Sequence, residues 1–291
     1  VYGTSRRGYT GKNMFLLCVV CLLAILNTMK TVLVVFTGTG NTLKVARDLA
    51  AALPEETEII RLSHRSFPEE IRADKVIILY PVYCFGLPAM VHGWLGLVRF
   101  PDNPLVYGVA TYGGLLCAAG IMLKKRIQTR GFRFSGHFAV HMPGNCVSAY
   151  DIAALEKRNK MFAKEAETVE KIAEVIGAGR KSGVRSNLGW LGRLMTGRVY
   201  PAFMKDVHRS AKRYEVTIAC TGCKLCTEVC PAGNIWMEDA RPVFGERCEG
   251  CYACLHLCPV ACIQDGPKTA SRARYHQPEV QVDELTVYSI N

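Results

Sequence analysis

The chain has no apolar run long enough to cross a bilayer as a helix. Its longest, residues 14–26, holds thirteen residues, against the roughly twenty that a spanning helix needs. It has no Gly-Lys-Ser/Thr triplet, so a Walker A phosphate loop is excluded. A dinucleotide fingerprint is poorly supported, because Leu43 stands where its third glycine belongs. It has no disulfide framework either. Of 14 cysteines, eight fall in one repeated motif, and Cys18, Cys21, Cys84, Cys117, Cys146 and Cys262 remain without paired spacing. Acidic residues are the scarcer charge, 25 against 36 basic, for a net charge of +11. That excess alone suggests nucleic acid, but its distribution argues otherwise. Residues 180–215 carry nine Lys/Arg against two acids, and residues 216–266 carry three against six. A basic connector thus precedes an acidic lobe, which suits docking between lobes or with partner proteins better than nucleic-acid binding.

The dominant feature is a duplication. Cys220, Cys223, Cys226 and Cys230 followed by Pro231 repeat as Cys248, Cys251, Cys254 and Cys258 followed by Pro259, at a constant offset of 28 residues. Each half is C-x2-C-x2-C-x3-C-P. An iron–sulfur cube needs one thiolate at each of four iron corners. Cysteines three residues apart cap neighbouring corners, and in this spacing the fourth cysteine ligates the other cluster. The expected sets are therefore Cys220, Cys223, Cys226 and Cys258 for one [4Fe-4S] cluster, and Cys248, Cys251, Cys254 and Cys230 for the other. Zinc is the bland alternative, but zinc sites group their ligands as two pairs, which two triplets with a trailing Cys-Pro do not. These residues resemble the bacterial-type two-cluster ferredoxins. Thiolate ligands also point to a reducing compartment.

Upstream, the pattern is α/β. Short β-branched apolar runs at residues 31–36, 75–80, 105–111 and 134–142, with 58–62 as a further candidate, read as parallel strands. Residues 42–53 have a helical period ended by Pro54. A long helix is expected from about Asp151 to Ile176, with Ile152, Leu155, Phe162, Val169, Ile172 and Ile176 inward and Gly177 as its stop. Alternating strands and helices give a doubly wound parallel sheet that binds ligands at its carboxyl edge.

At that edge Thr37, Gly38, Thr39, Gly40, Asn41 and Thr42 form a hydroxyl-rich, lysine-free loop leading into a helix. Such a loop aims backbone N–H groups at an anion. It resembles the flavodoxin loop that holds the phosphate of FMN. Later turns contribute Tyr83, Phe85 and Tyr112 as stacking rings, and Gly86, Gly113 and Gly114 for close backbone approach. A flavodoxin-like scaffold without flavin is the alternative. Cys84, Cys117 and Cys146 read as small packing residues, and His256, between two ligands, as a solvated helix position.

The phosphate loop, the paired cysteine motifs and the segment Arg274-Tyr275-His276-Gln277-Pro278-Glu279 together resemble the fused flavodoxin-plus-ferredoxin proteins of anaerobic microbes. The resemblance implies an α/β flavodoxin-like doubly wound parallel sheet followed by a small α+β two-cluster ferredoxin domain. The expected divisions are a hydrophobic extension 1–28, a flavodoxin-like domain 29–177, a basic connector 178–214 of short packed helices, a ferredoxin domain 215–270 and a tail 271–291. The implied role is electron transfer in the cytoplasm with two [4Fe-4S] clusters and FMN. Two alternatives are a flavin-dependent reductase using Tyr112 or His141, and a redox subunit of a larger complex, membrane-associated through residues 1–28. Those residues read best as an over-extended start, because Met29 directly precedes the first strand.

Overall fold

The computed structural model describes residues 29–287. The expected extension 1–28, and residues 288–291 of the expected tail, lie outside them. Five strands form one sheet: β1 (Thr31–Val35), β2 (Thr57–Arg61), β3 (Lys75–Pro81), β4 (Leu105–Tyr112) and β5 (Phe134–His141). All pairings are parallel, in the order β2-β1-β3-β4-β5. This is the flavodoxin-like order, whose topological switch point lies between β1 and β3. The strands are continuously apolar because both faces are covered. Val32 and Val34 enter one core with Ile78, Trp94 and Leu123. Leu33 and Val35 enter the other with Leu49, Ile172 and Ile176.

The helices covering these faces are α1 (Asn41–Ala52), α2 (Ala89–Leu97), α3 (Ala119–Thr129) and α4 (Leu155–Gly177). The helix expected from Asp151 begins at Leu155, and its inward face is also different. Leu155 is 62% exposed, whereas Met161 and Glu165 are buried beside Val169, Ile172 and Ile176. Lys75 ties the end of α4 to the opposite edge of the sheet. Its ammonium pairs with Glu55 Oε1 at 2.7 Å and donates to the Gly177 carbonyl at 2.9 Å. Both side chains are buried. Losing either partner alone would strand a buried charge, at a cost of about 3–5 kcal/mol.

The connector forms one helix rather than several, α5 (Gly189–Asp206), continued by a 3-10 segment (Val207–Arg213). It buries Gly192, Thr196 and Tyr200. The expectation that its apolar residues pack inward holds only in part, since Trp190 is 76% exposed and Leu191, Leu194 and Val199 are also exposed.

The cysteine lobe follows, with strands β6 (Glu215–Val216), β7 (Ile235–Glu238), β8 (Arg241–Phe244) and β9 (Ile263–Gln264), and one-turn helices α6 (Leu225–Glu228) and α7 (Ala253–His256). β6 pairs with β9 and β7 with β8, both antiparallel. The duplication is written into the backbone. Left-handed φ values occur at Gly222 and Gly250, Lys224 and Tyr252, and Gly233 and Ala261, each pair separated by the same offset of 28 residues. Residues lacking glycine's freedom adopt this conformation only when the surrounding loop demands it. Among the described residues no helix is long and apolar enough to cross a membrane.

Candidate functional site

A cavity of about 600 Å³ opens at the carboxyl edge of the sheet, between the loops after β1, β3, β4 and β5 and helix α5. Its floor is the loop between β1 and α1. The Gly40 N–H donates to Thr37 Oγ1 at 3.2 Å, closing the loop on itself. Asn145 Nδ2 donates to Thr39 Oγ1 at 3.1 Å, and Thr42 Oγ1 lies 2.8 Å from Thr111 Oγ1. Thr37 and Thr39 therefore accept from the protein and keep their own protons to donate. The backbone N–H groups of Gly38, Thr39, Asn41 and Thr42 find no acceptor among the described residues. This donor set, at the first turn of a 12-residue helix, fits a phosphate.

The turn after β3 is tight. Tyr83 and Gly86 exchange backbone bonds of 3.1 and 2.9 Å, which forces Cys84 and Phe85 to positive φ, 44° and 69°. Tyr83 lines the cavity, held edge-on between Phe36 and Phe203. Its hydroxyl is buried without a hydrogen-bond partner among the described residues, and burial raises its pKa well above the ordinary tyrosine value. An orphaned buried hydroxyl on the wall of a cavity also fits a ligand there. Tyr112 packs on His141 with ring centroids 5.1 Å apart and the planes tilted by 33°, and His141 Nε2 lies 3.3 Å from the Gly113 carbonyl.

Of the residues named above for FMN, Thr37, Gly38, Thr39, Asn41, Thr42, Tyr83, Phe85, Tyr112, Gly113 and Gly114 line this cavity. Gly40 and Gly86 do not. Gly40 faces the tail, where a Cβ would lie 3.1 Å from Gln277 Cβ. Gly86 faces α5, where a Cβ would fall 2.3 Å from the Tyr200 ring, so its small size serves helix packing. Cys84 also departs from expectation, being exposed at the cavity rather than packed. Asn145, Phe203, Gly250 and Tyr252 complete the walls. Local sequence gave no sign of them beyond the turn at Asn145.

Two smaller cavities lie in the cysteine lobe. One is lined by Cys220, Cys223, Cys226 and Cys258, with Cys262 beside them. The other is lined by Cys230, Cys248, Cys251 and Cys254. Each cavity thus gathers three cysteines of one repeat and the last cysteine of the other, a four-sulfur donor set in apolar surroundings that fits an iron–sulfur cube. Backbone N–H groups of Asn234, Gly250 and Cys262 donate to the sulfurs of Cys230, Cys248 and Cys258 at 3.3–3.4 Å. Such bonds tune cluster potentials. Glu249 is buried, and its carboxylate accepts the Met90 N–H at 2.8 Å in the first turn of α2, docking the lobe onto the sheet domain.

The two regions touch. A Cβ on Gly38 would lie 2.7 Å from the Cys251 carbonyl oxygen, and Asn145 Nδ2 donates to that oxygen at 3.3 Å. Gly250 and Tyr252, flanking Cys251, form part of the cavity wall. His256 is buried, contrary to its solvated reading, and burial lowers its pKa to about 4.

Residues 212–277 match the 4Fe-4S dicluster domain family. No curated protein matches the chain. Among solved structures, a rubredoxin oxygen:oxidoreductase from Desulfovibrio gigas shares 17% identity over 50% of this chain and 36% of its own, with a TM-score of 0.32. The two-electron reduced flavodoxin of Megasphaera elsdenii shares 20% identity over 50% of this chain and 98% of its own, with a TM-score of 0.35. A flavoprotein of Lactobacillus acidophilus NCFM in complex with FMN shares 16% identity over 38% of this chain and 93% of its own, with a TM-score of 0.31. At these values the strand order, not the neighbours, carries the assignment of the sheet. The chain thus joins a sheet of flavodoxin-like strand order to a segment that matches the 4Fe-4S dicluster domain family.

Proposed function

We propose that this protein transfers electrons between redox partner proteins in the reducing cytoplasm. It holds one FMN in the sheet-edge cavity and two [4Fe-4S] clusters in the cysteine lobe. Cys220, Cys223, Cys226 and Cys258 hold one cluster, and Cys230, Cys248, Cys251 and Cys254 the other. The single observation that carries the reading is the packing of Cys251 against Gly38, which brings one four-cysteine cavity against the phosphate loop. The clusters supply one-electron transfer, and the flavin supplies exchange between one-electron and two-electron chemistry.

The chain's own residues bind, orient and shield. The hydroxyls of Thr37, Thr39 and Thr42 and the free amides of the first turn of α1 seat the phosphate. Tyr83, Phe85 and Tyr112 wall the ring end of the cavity. Helix α5, through Ala202 and Phe203, closes it on the remaining side and limits water.

Anaerobic purification followed by flavin extraction and iron analysis tests the composition. About one FMN and about eight irons per chain are expected, four for each cluster. Intact clusters with no flavin taken up from excess FMN would leave the sheet domain as a scaffold only.

A further inference from the structure

After the cysteine lobe the chain returns to the sheet domain and presses on the phosphate loop. Tyr275, Gln277 and Val280 are buried there. The Tyr275 hydroxyl donates to Asn41 Oδ1 at 2.5 Å, and the Gln277 N–H donates to the Thr39 carbonyl at 2.8 Å. Asn41 is held at its other end too, its Nδ2 donating to the Pro143 carbonyl at 2.8 Å. The strap is anchored beyond the loop. Arg61 donates to the carbonyls of Leu285 and Thr286, both at 3.1 Å, and Arg47 pairs with Glu284 at 2.5 Å.

The same strap is tied to the cysteine lobe through His256. Nδ1 of His256 accepts the Tyr275 N–H at 3.1 Å, and Nε2 donates to the Asn145 carbonyl at 2.7 Å. Asn145 in turn donates to Thr39 Oγ1. Two paths therefore run from His256 to the phosphate loop, one through Tyr275 to Asn41 and one through Asn145 to Thr39. His256 ends α7, a helix of four residues that contains Cys254 and is followed two residues later by Cys258. A helix this short does not stand by its own hydrogen bonds, so its shape depends on how Cys254 within it and Cys258 just after it are held.

We propose that Tyr275 and His256 are positioning residues that couple the phosphate loop to the cysteine lobe, so that a filled lobe raises the affinity of the cavity for FMN. This rests on the reading of that cavity as an FMN site. By thermodynamic reciprocity, FMN must then strengthen retention of iron by the same factor.

The test uses the full-length, cluster-loaded protein and its Tyr275→Phe variant, which loses one hydroxyl and keeps the buried ring. A His256→Gln variant, which retains a terminal N–H donor, checks the second path. FMN is titrated by fluorescence quenching. Iron retained at equilibrium is read against a chelator series, with and without FMN. Loss of one buried hydrogen bond predicts FMN binding about fivefold weaker in Tyr275→Phe, with iron content and cluster absorbance unchanged before chelation. FMN should protect iron in the wild type by about fivefold or more, and less in Tyr275→Phe. The retained donor in His256→Gln should keep most of that protection. Equal FMN affinity in wild type and Tyr275→Phe, or iron retention indifferent to FMN, would overturn the coupling while leaving the FMN site intact. A wild type that binds no FMN would remove the cavity reading, and this inference with it.

Discussion

Cys230→Ala, assembled anaerobically, is expected to lose or degrade to a three-iron form the cluster held by Cys248, Cys251 and Cys254. The cluster held by Cys220, Cys223 and Cys226 should survive at first. The expectation follows from the cavities, since Cys230 lines the same one as Cys248, Cys251 and Cys254 and the other is completed by Cys258. The chain leaves the first triplet at the extra residue before Cys230 and turns at Pro231. The mirror experiment is not symmetrical. Cys262 Sγ lies 3.4 Å from Cys258 Sγ and lines the same cavity, so Cys258→Ala alone leaves four thiols there. The clean counterpart is Cys258→Ala with Cys262→Ala. Paramagnetic NMR of the cysteine β-protons identifies the surviving cluster. Damage from Cys230→Ala to the cluster of Cys220, Cys223 and Cys226 would show that each repeat keeps its own fourth ligand.

Thr39→Glu and Thr42→Glu are expected to expel FMN while leaving the clusters in place. Both threonines are almost fully buried in the phosphate loop. Each change removes a hydroxyl and sets a carboxylate where the phosphate would sit. Thr42 lies in the first turn of α1 and Thr39 just ahead of its N-cap, where an acid is favoured by the helix dipole, so the helix persists. The FMN dissociation constant should rise at least ~100-fold, about 2.8 kcal/mol at 1.4 kcal/mol per tenfold. Equilibrium dialysis with FMN measures it, and iron content reports the lobe. Wild-type affinity in both variants would place the phosphate elsewhere.

The features legible in the sequence are those with a local signature. The buried strands show as continuous β-branched runs, and the duplication as a fixed offset that the left-handed positions repeat. Helix α2 went unnamed for a physical reason. Its sequence, AMVHGWLGL, is apolar almost throughout, so no helical period stands out. The inward face of α4 misled because Glu165 is buried in it while Leu155 at its first turn is exposed. Tertiary contacts decide both, and they leave no period. Gly86 reads like a turn glycine next to a ligand, and only the Tyr200 ring, more than a hundred residues away, shows why it is small. The contact between Tyr275 and Asn41, 234 residues apart, has no local signal at all.

The central claim is that flavin and clusters exchange electrons inside one chain. It is tested most directly by anaerobic rapid kinetics on FMN-loaded protein. FMN is reduced in a pulse, and bleaching of the cluster absorbance is followed over a series of protein concentrations. Adjacent sites predict a first-order rate independent of concentration in the wild type, slowed in Cys230→Ala, in which the cluster next to Gly38 is expected to be lost or degraded. A bleaching rate that rises in proportion to protein concentration, or one unchanged by Cys230→Ala, would contradict the account.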